Sequence, residues 1–166
     1  MHPTLIGFST PNYFNPVSRL IRFITKSKAS HAFVIYFAHD WNMDCVLEAH
    51  ELGFRITPLE RFIVKNNIVK VVVPRHPIDE GLLVIAKRYL GSMYDYKGLF
   101  GMSVVMLGRF LKRKWNNPFR GSKSVFCSES VIIAMKNSHG YEDLDLSDDT
   151  DPEALLEYFE TKECAT

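Results

Sequence analysis

The chain has 166 residues, 46% of them hydrophobic and 23% charged, with a formal net charge of +1, which fits one domain with its own core. Twelve Phe and seven Tyr exclude long stretches of disorder, and the near-neutral total gives no general attraction to nucleic acid. Three cysteines (Cys45, Cys127 and Cys164) without a C-x-x-C pair exclude a disulfide framework and a zinc knuckle and fit a reducing compartment.

In chain order, "TLIGF" (4–8) reads as a short buried strand and "NPVSRLIRFITK" (15–26) as a helix. Asn15 suits the N-cap and Pro16 the first helical position. Val17, Leu20, Ile21 and Ile24 share one apolar face, while Arg19, Arg22 and Lys26 take the wet side. "HAFVIYF" (31–37) is rich in β-branched and aromatic residues and reads as a strand. "HDWNMD" (39–44) turns the chain. "CVLEAH" (45–50), "FRITPL" (54–59, entered through Gly53) and "NIVKVVVP" (67–74) follow as further strands. Their short connections suggest an antiparallel meander.

"IDEGLLVIAKRYLG" (78–91) reads as a helix with an apolar stripe of Ile78, Leu82, Ile85, Ala86 and Tyr89, stopped by Gly91. Residues 98–115 suggest another, apolar at first and basic at its end. "SVFCSESVIIAMKN" (124–137) suggests a further helix, with Ser124 as N-cap and Ser128, Val131, Ile132 and Met135 on one face. "DPEALLEYFE" (151–160) closes the series with Asp151 as cap and Pro152 behind it. The sum is an α+β domain in which an antiparallel sheet packs against helices.

Charge is uneven along the chain. Residues 109–123 carry six basic side chains and no acid, and residues 142–153 carry seven acids and no base. The acidic run does not make a calcium loop: Asp148 stands where an EF-hand needs glycine and Ala154 where it needs glutamate. The N-terminus lacks a basic n-region and a long apolar core, so no signal peptide is expected. The apolar stretch 98–108 is shorter than the roughly 20 residues that span a bilayer. A cytoplasmic or virion-associated protein is the expectation.

Chemistry centres on Cys127. With Ser124 as N-cap it sits at the third helical position, where unpaired N–H groups and the helix dipole favour a thiolate and an oxyanion. The alternative is an inert packing cysteine. A thiol nucleophile needs a base, and the histidines are His2, His31, His39, His50, His76 and His139. His31 opens a strand, which holds an imidazole rigidly at a rim; the plainer reading is a surface histidine. A third group must orient the ring. Period-two alternation puts Val46, Glu48 and His50 on one face of "CVLEAH" and Cys45, Leu47 and Ala49 on the other. If that strand pairs with 31–37, Glu48 or His50 lies beside His31.

The ordered pieces "SRLIRFITKSKASHAFVIY", "VLEAHELGFRITPLERF", "YLGSMYDYKGLFG", "VFCSESV" and "DPEAL" together resemble a circularly permuted papain-like cysteine hydrolase of the NlpC type, a group similar to the lecithin–retinol acyltransferases. The resemblance covers roughly residues 4 to 156. In the permuted group the histidine strand precedes the cysteine helix, as His31 precedes Cys127 here. The resemblance implies Cys127 as nucleophile, His31 as general base and Glu48 as the orienting residue. His50 is the rival to Glu48, because the acyltransferase relatives use a second histidine. Tyr94 resembles a tyrosine lining the site, and a half-buried packing role is its alternative. Glu129 reads as a structural acid at the helix start. The Gly-Asp pair that opens many members is absent from "HPTLIGFS".

The implied activity is cleavage of a peptide or N-acyl amide through an acyl-enzyme, without a cofactor or metal. One alternative is a membrane-associated lipid acyltransferase or thioesterase on the same Cys–His pair, with 99–115 against the membrane surface. That segment reads equally as the wall of an acyl groove or as a core-packed helix. The other alternative is a catalytically inactive papain-like interaction module. The expected partner is a peptide or an acylated small molecule, with no nucleic acid; Trp115 and Phe119 in the basic run make only a weak case for single strands.

Overall fold

The computed structural model describes residues 2–15, 18–19, 22–23, 27–50, 53–92, 127–148 and 150–163. The proposed segment 98–115, Tyr94, Ser124 and Cys164 lie outside these residues, as do parts of the proposed helix 15–26.

Five strands form one antiparallel sheet: β1 (Leu5–Pro11), β2 (His31–Ala38), β3 (Met43–His50), β4 (Gly53–Pro58) and β5 (Asn66–Val72). Around it stand α1 (Leu59–Lys65), α2 (Asp79–Tyr89), α3 (Cys127–Lys136) and α4 (Pro152–Tyr158). The order across the sheet is β4-β3-β2-β1-β5. The meander expected from sequence therefore holds for β1 to β4 and fails at β5. Instead of extending the sheet beyond β4, the chain passes through α1 and returns to the far side of β1. Sequence periodicity did not reveal α1, whose seven residues include the strand-like Phe62, Ile63 and Val64.

Alternation sends β2 and β3 side chains to two different cores. On one face Ala32, Val34, Leu47 and Ala49 join Ile85 of α2, Val131, Ile132 and Met135 of α3, and Leu155 of α4. On the other, Phe33, Ile35 and Val46 pack with Phe62 of α1. α3 lies against β2, β3 and α2, so its amino-terminal end is fixed relative to the strand that begins at His31.

Several local expectations are met. The Asn15 side chain accepts from the Ser18 N–H at 3.0 Å, which is N-cap geometry. Asp151 accepts from the N–H groups of Glu153 and Ala154, with Pro152 as the first residue of α4. Ile78, Leu82, Ile85 and Tyr89 are buried. Gly91 takes φ +78°, a left-handed conformation that glycine adopts without steric cost. There its N–H donates to the Phe54 carbonyl at 3.0 Å, and the Phe54 N–H donates to the Ser92 carbonyl at 3.1 Å, turning the chain along the outer side of β4.

Gly81 fixes the approach of α2 to α3. A Cβ at this position would stand 1.8 Å from the Ala134 carbonyl oxygen, so the two helix backbones nearly touch. Gly81→Ala should gain helix propensity yet lose about 3 kcal/mol of stability through the forced separation. Urea unfolding checks this, and unchanged or raised stability would contradict the close contact.

Candidate active site

His31 is the first residue of β2, and four hydrogen bonds restrain the "SKAS" segment before it. The Ser27 hydroxyl accepts from the Ala29 N–H at 2.9 Å and donates to the Glu153 carboxylate on α4. The Ser30 N–H donates to the Ser9 carbonyl at 3.0 Å. The Ser30 and Ser18 hydroxyls share a buried hydrogen bond of 2.6 Å. Together they deliver the His31 backbone to the start of the central strand in a defined position. Its ring is inclined by 24° to that of Phe33, centroids 6.0 Å apart, and lies 6.3 Å from Phe62. α1 thus supplies an apolar backing for the imidazole.

Glu48 lies on the neighbouring strand with its side chain only 1% exposed. His31 Nε2 sits 2.9 Å from Glu48 Oε2. The other carboxylate oxygen, Oε1, accepts from Arg55 Nε at 2.9 Å, lies 2.8 Å from Arg55 Nη2, and is within 3.4 Å of the Thr57 hydroxyl. A buried carboxylate needs such partners, because removing its charge from water without them costs several kcal/mol.

Cys127 is the first described residue of α3 and is half-buried. Its sulfur lies close enough to the His31 side chain, and to the backbone N–H groups of Ala32 and Ser128, for each of them to favour its ionised form. Nε2 is directed at Glu48, so Nδ1 is the ring nitrogen left for the thiol. The expected constellation of Cys127, His31 and Glu48 is assembled in space, drawn from α3, β2 and β3. His50 ends β3 opposite Gly53, and the carboxylate on His31 is that of Glu48.

The electrostatics follow from these contacts. Burial alone would pull the His31 pKa down, but the hydrogen bonds and charges of Cys127 and Glu48 outweigh it and raise it to about 10. Burial also opposes ionisation of Glu48, yet His31 and Arg55 hold its carboxyl down at about 2. For Cys127, burial pushes the thiol up; the hydrogen bond and charge of His31, with the Ala32 and Ser128 N–H groups, bring it below the ordinary thiol range. These shifts favour a thiolate beside an imidazolium, with Glu48 as the anion behind the ring. By contrast, Cys45 is buried and its pKa is raised, first by that burial and then by the charge of Asp44.

Sequence reasoning missed Arg55, Thr57 and Phe62. The signal for the first was present: alternation puts Arg55 and Thr57 on one face of "FRITPL". Only the pairing Glu48↔Arg55 shows that this face meets the carboxylate. Among the described residues, no group of three or more His, Cys, Asp or Glu is placed to hold a metal ion, and no helix is long and apolar enough to cross a membrane. No protein-family model matches the chain, and no curated protein matches it.

Proposed function

We propose that the chain is a cysteine hydrolase of the permuted papain-like type, cleaving a peptide or N-acyl amide through an acyl-enzyme. The observation that carries this reading is the continuous relay from Cys127 through His31 to the buried Glu48. A thiol lowered in pKa by an imidazolium is a prepared nucleophile, and such preparation argues against an inactive scaffold.

The reaction would run in two halves. The Cys127 thiolate attacks the carbonyl carbon, forming a C–S bond and placing negative charge on the oxygen. The backbone N–H groups in the first turn of α3 carry the positive end of the helix dipole and are suited to that oxyanion. The tetrahedral adduct collapses, the C–N bond breaks, and His31 gives its Nδ1 proton to the departing amine. Water then attacks the thioester while neutral His31 takes its proton, and the C–S bond breaks to release the acid. The carboxylate of Glu48 accepts from Nε2–H throughout, so the ring keeps one orientation.

Acylation by an activated acyl probe, mapped by peptide mass spectrometry, tests the nucleophile. The wild type should carry one acyl group on Cys127, and Cys127→Ala should lose at least 90% of the labelling, on the order of the tenfold thiolate advantage expected at pH 7. Equal labelling of the variant would remove Cys127 from the role.

A further inference from the structure

The two oxygens of Glu48 are divided between two partners. Arg55 directs both Nε and Nη2 to Oε1, and Oε2 is left to His31. Arg55 stands directly across the β3–β4 ladder from Glu48, where a planar guanidinium fork is held by the strands themselves. A carboxylate gripped on one oxygen cannot rotate freely, and its second oxygen is fixed in the plane that meets the imidazole.

We propose that Arg55 is a positioning residue for the Cys127–His31 pair, acting through Glu48 by holding its carboxylate ionised and its Oε2 aimed at His31 Nε2. This rests on the hydrolase reading above and extends it by a fourth residue. The charged groups bearing on Glu48 are His31 from β2 and Arg55 from β4; Cys127 from α3 bears on His31, and α1 contributes the apolar Phe62.

A purely structural arginine would only neutralise a buried anion. A positioning arginine also changes the proton affinity of His31, which it does not touch. The two effects have opposite signs. Removing a nearby cation would by itself favour a second one and raise the His31 midpoint. Loosening or protonating Glu48 withdraws the anion that supports the imidazolium and lowers it.

Nitrogen-15 NMR titration of the His31 ring in the full-length protein separates them, with thermal unfolding run alongside to report folding. The wild type should titrate near 10. Arg55→Ala should bring the midpoint down by about one unit or more. Arg55→Lys, which keeps the charge and serves if the alanine variant does not fold, should recover more than half of that drop. In a Glu48→Gln background, Arg55→Ala should cause no further fall. A midpoint that stays near 10 or rises in Arg55→Ala overturns the proposal, as does an equal fall in the Glu48→Gln background. With a poorly folded alanine variant, an unshifted Glu48→Gln midpoint overturns it. A wild-type midpoint near 6.5 would instead remove the Cys–His pair on which the proposal rests.

Discussion

Replacing His31 by alanine should abolish acyl transfer to within measurement, a loss of about 1,000-fold or more, because it removes both the thiolate's counter-charge and the proton donor for the leaving amine. The thiol of the variant should return to the ordinary range near 8.5 or above, since the burial that opposes its charge remains. Less than about 1% would then be ionised at pH 6. Alkylation of Cys127 by iodoacetamide should fall by about tenfold at that pH, less than the loss of thiolate, because a more basic thiolate is also more nucleophilic. The pH profile carries a second signature. His31 is raised to about 10, so its stabilising contribution is complete below its unfolded value of 6.5 and is lost as pH rises through 10. Amide cleavage should decline over the same alkaline limb, while alkylation, which needs no proton donor, should persist. Parallel alkaline decline of both rates would contradict the assignment of His31 as acid.

Glu48→Gln is the second large effect. The amide keeps the shape but not the charge, so the imidazolium loses its anion and Arg55 its partner. Activity should fall by about 100-fold or more, and stability at pH 7 by about 1–3 kcal/mol. The sign with pH is defined. Glu48 is held at about 2 against an ordinary 4.5, so it contributes fully above 4.5 and loses that contribution as pH falls towards 2. The stability gap between wild type and variant should therefore narrow between pH 5 and pH 2 in urea unfolding. A gap that stays constant over that range would show that the carboxylate is not held ionised by its neighbours.

The site residues were legible to different depths for physical reasons. Cys127 at a helix start and His31 at a strand start are local features, visible from periodicity. Glu48 on the Val46 face of β3 was also visible, but its choice over His50 was not. Continuing the β2–β3 register beyond Val34↔Leu47 would bring His31 level with His50. The ring instead leans inward along Phe33 and Phe62, which brings it to Glu48. That lean depends on α1, a seven-residue helix whose composition resembles a strand. The position of β5 was hidden for the same reason, since it follows α1. Arg55 required a cross-strand register, which no local pattern encodes.

The ultraviolet thiolate absorbance of Cys127, taken as the difference between wild type and Cys127→Ala across pH and repeated in the His31→Ala background, tests the ion pair most directly. A sulfur that ionises below the ordinary thiol range in the wild type, and only well above pH 8 without His31, is the predicted result. A wild-type thiol that ionises only near 8.5, with or without the imidazole, would contradict the account.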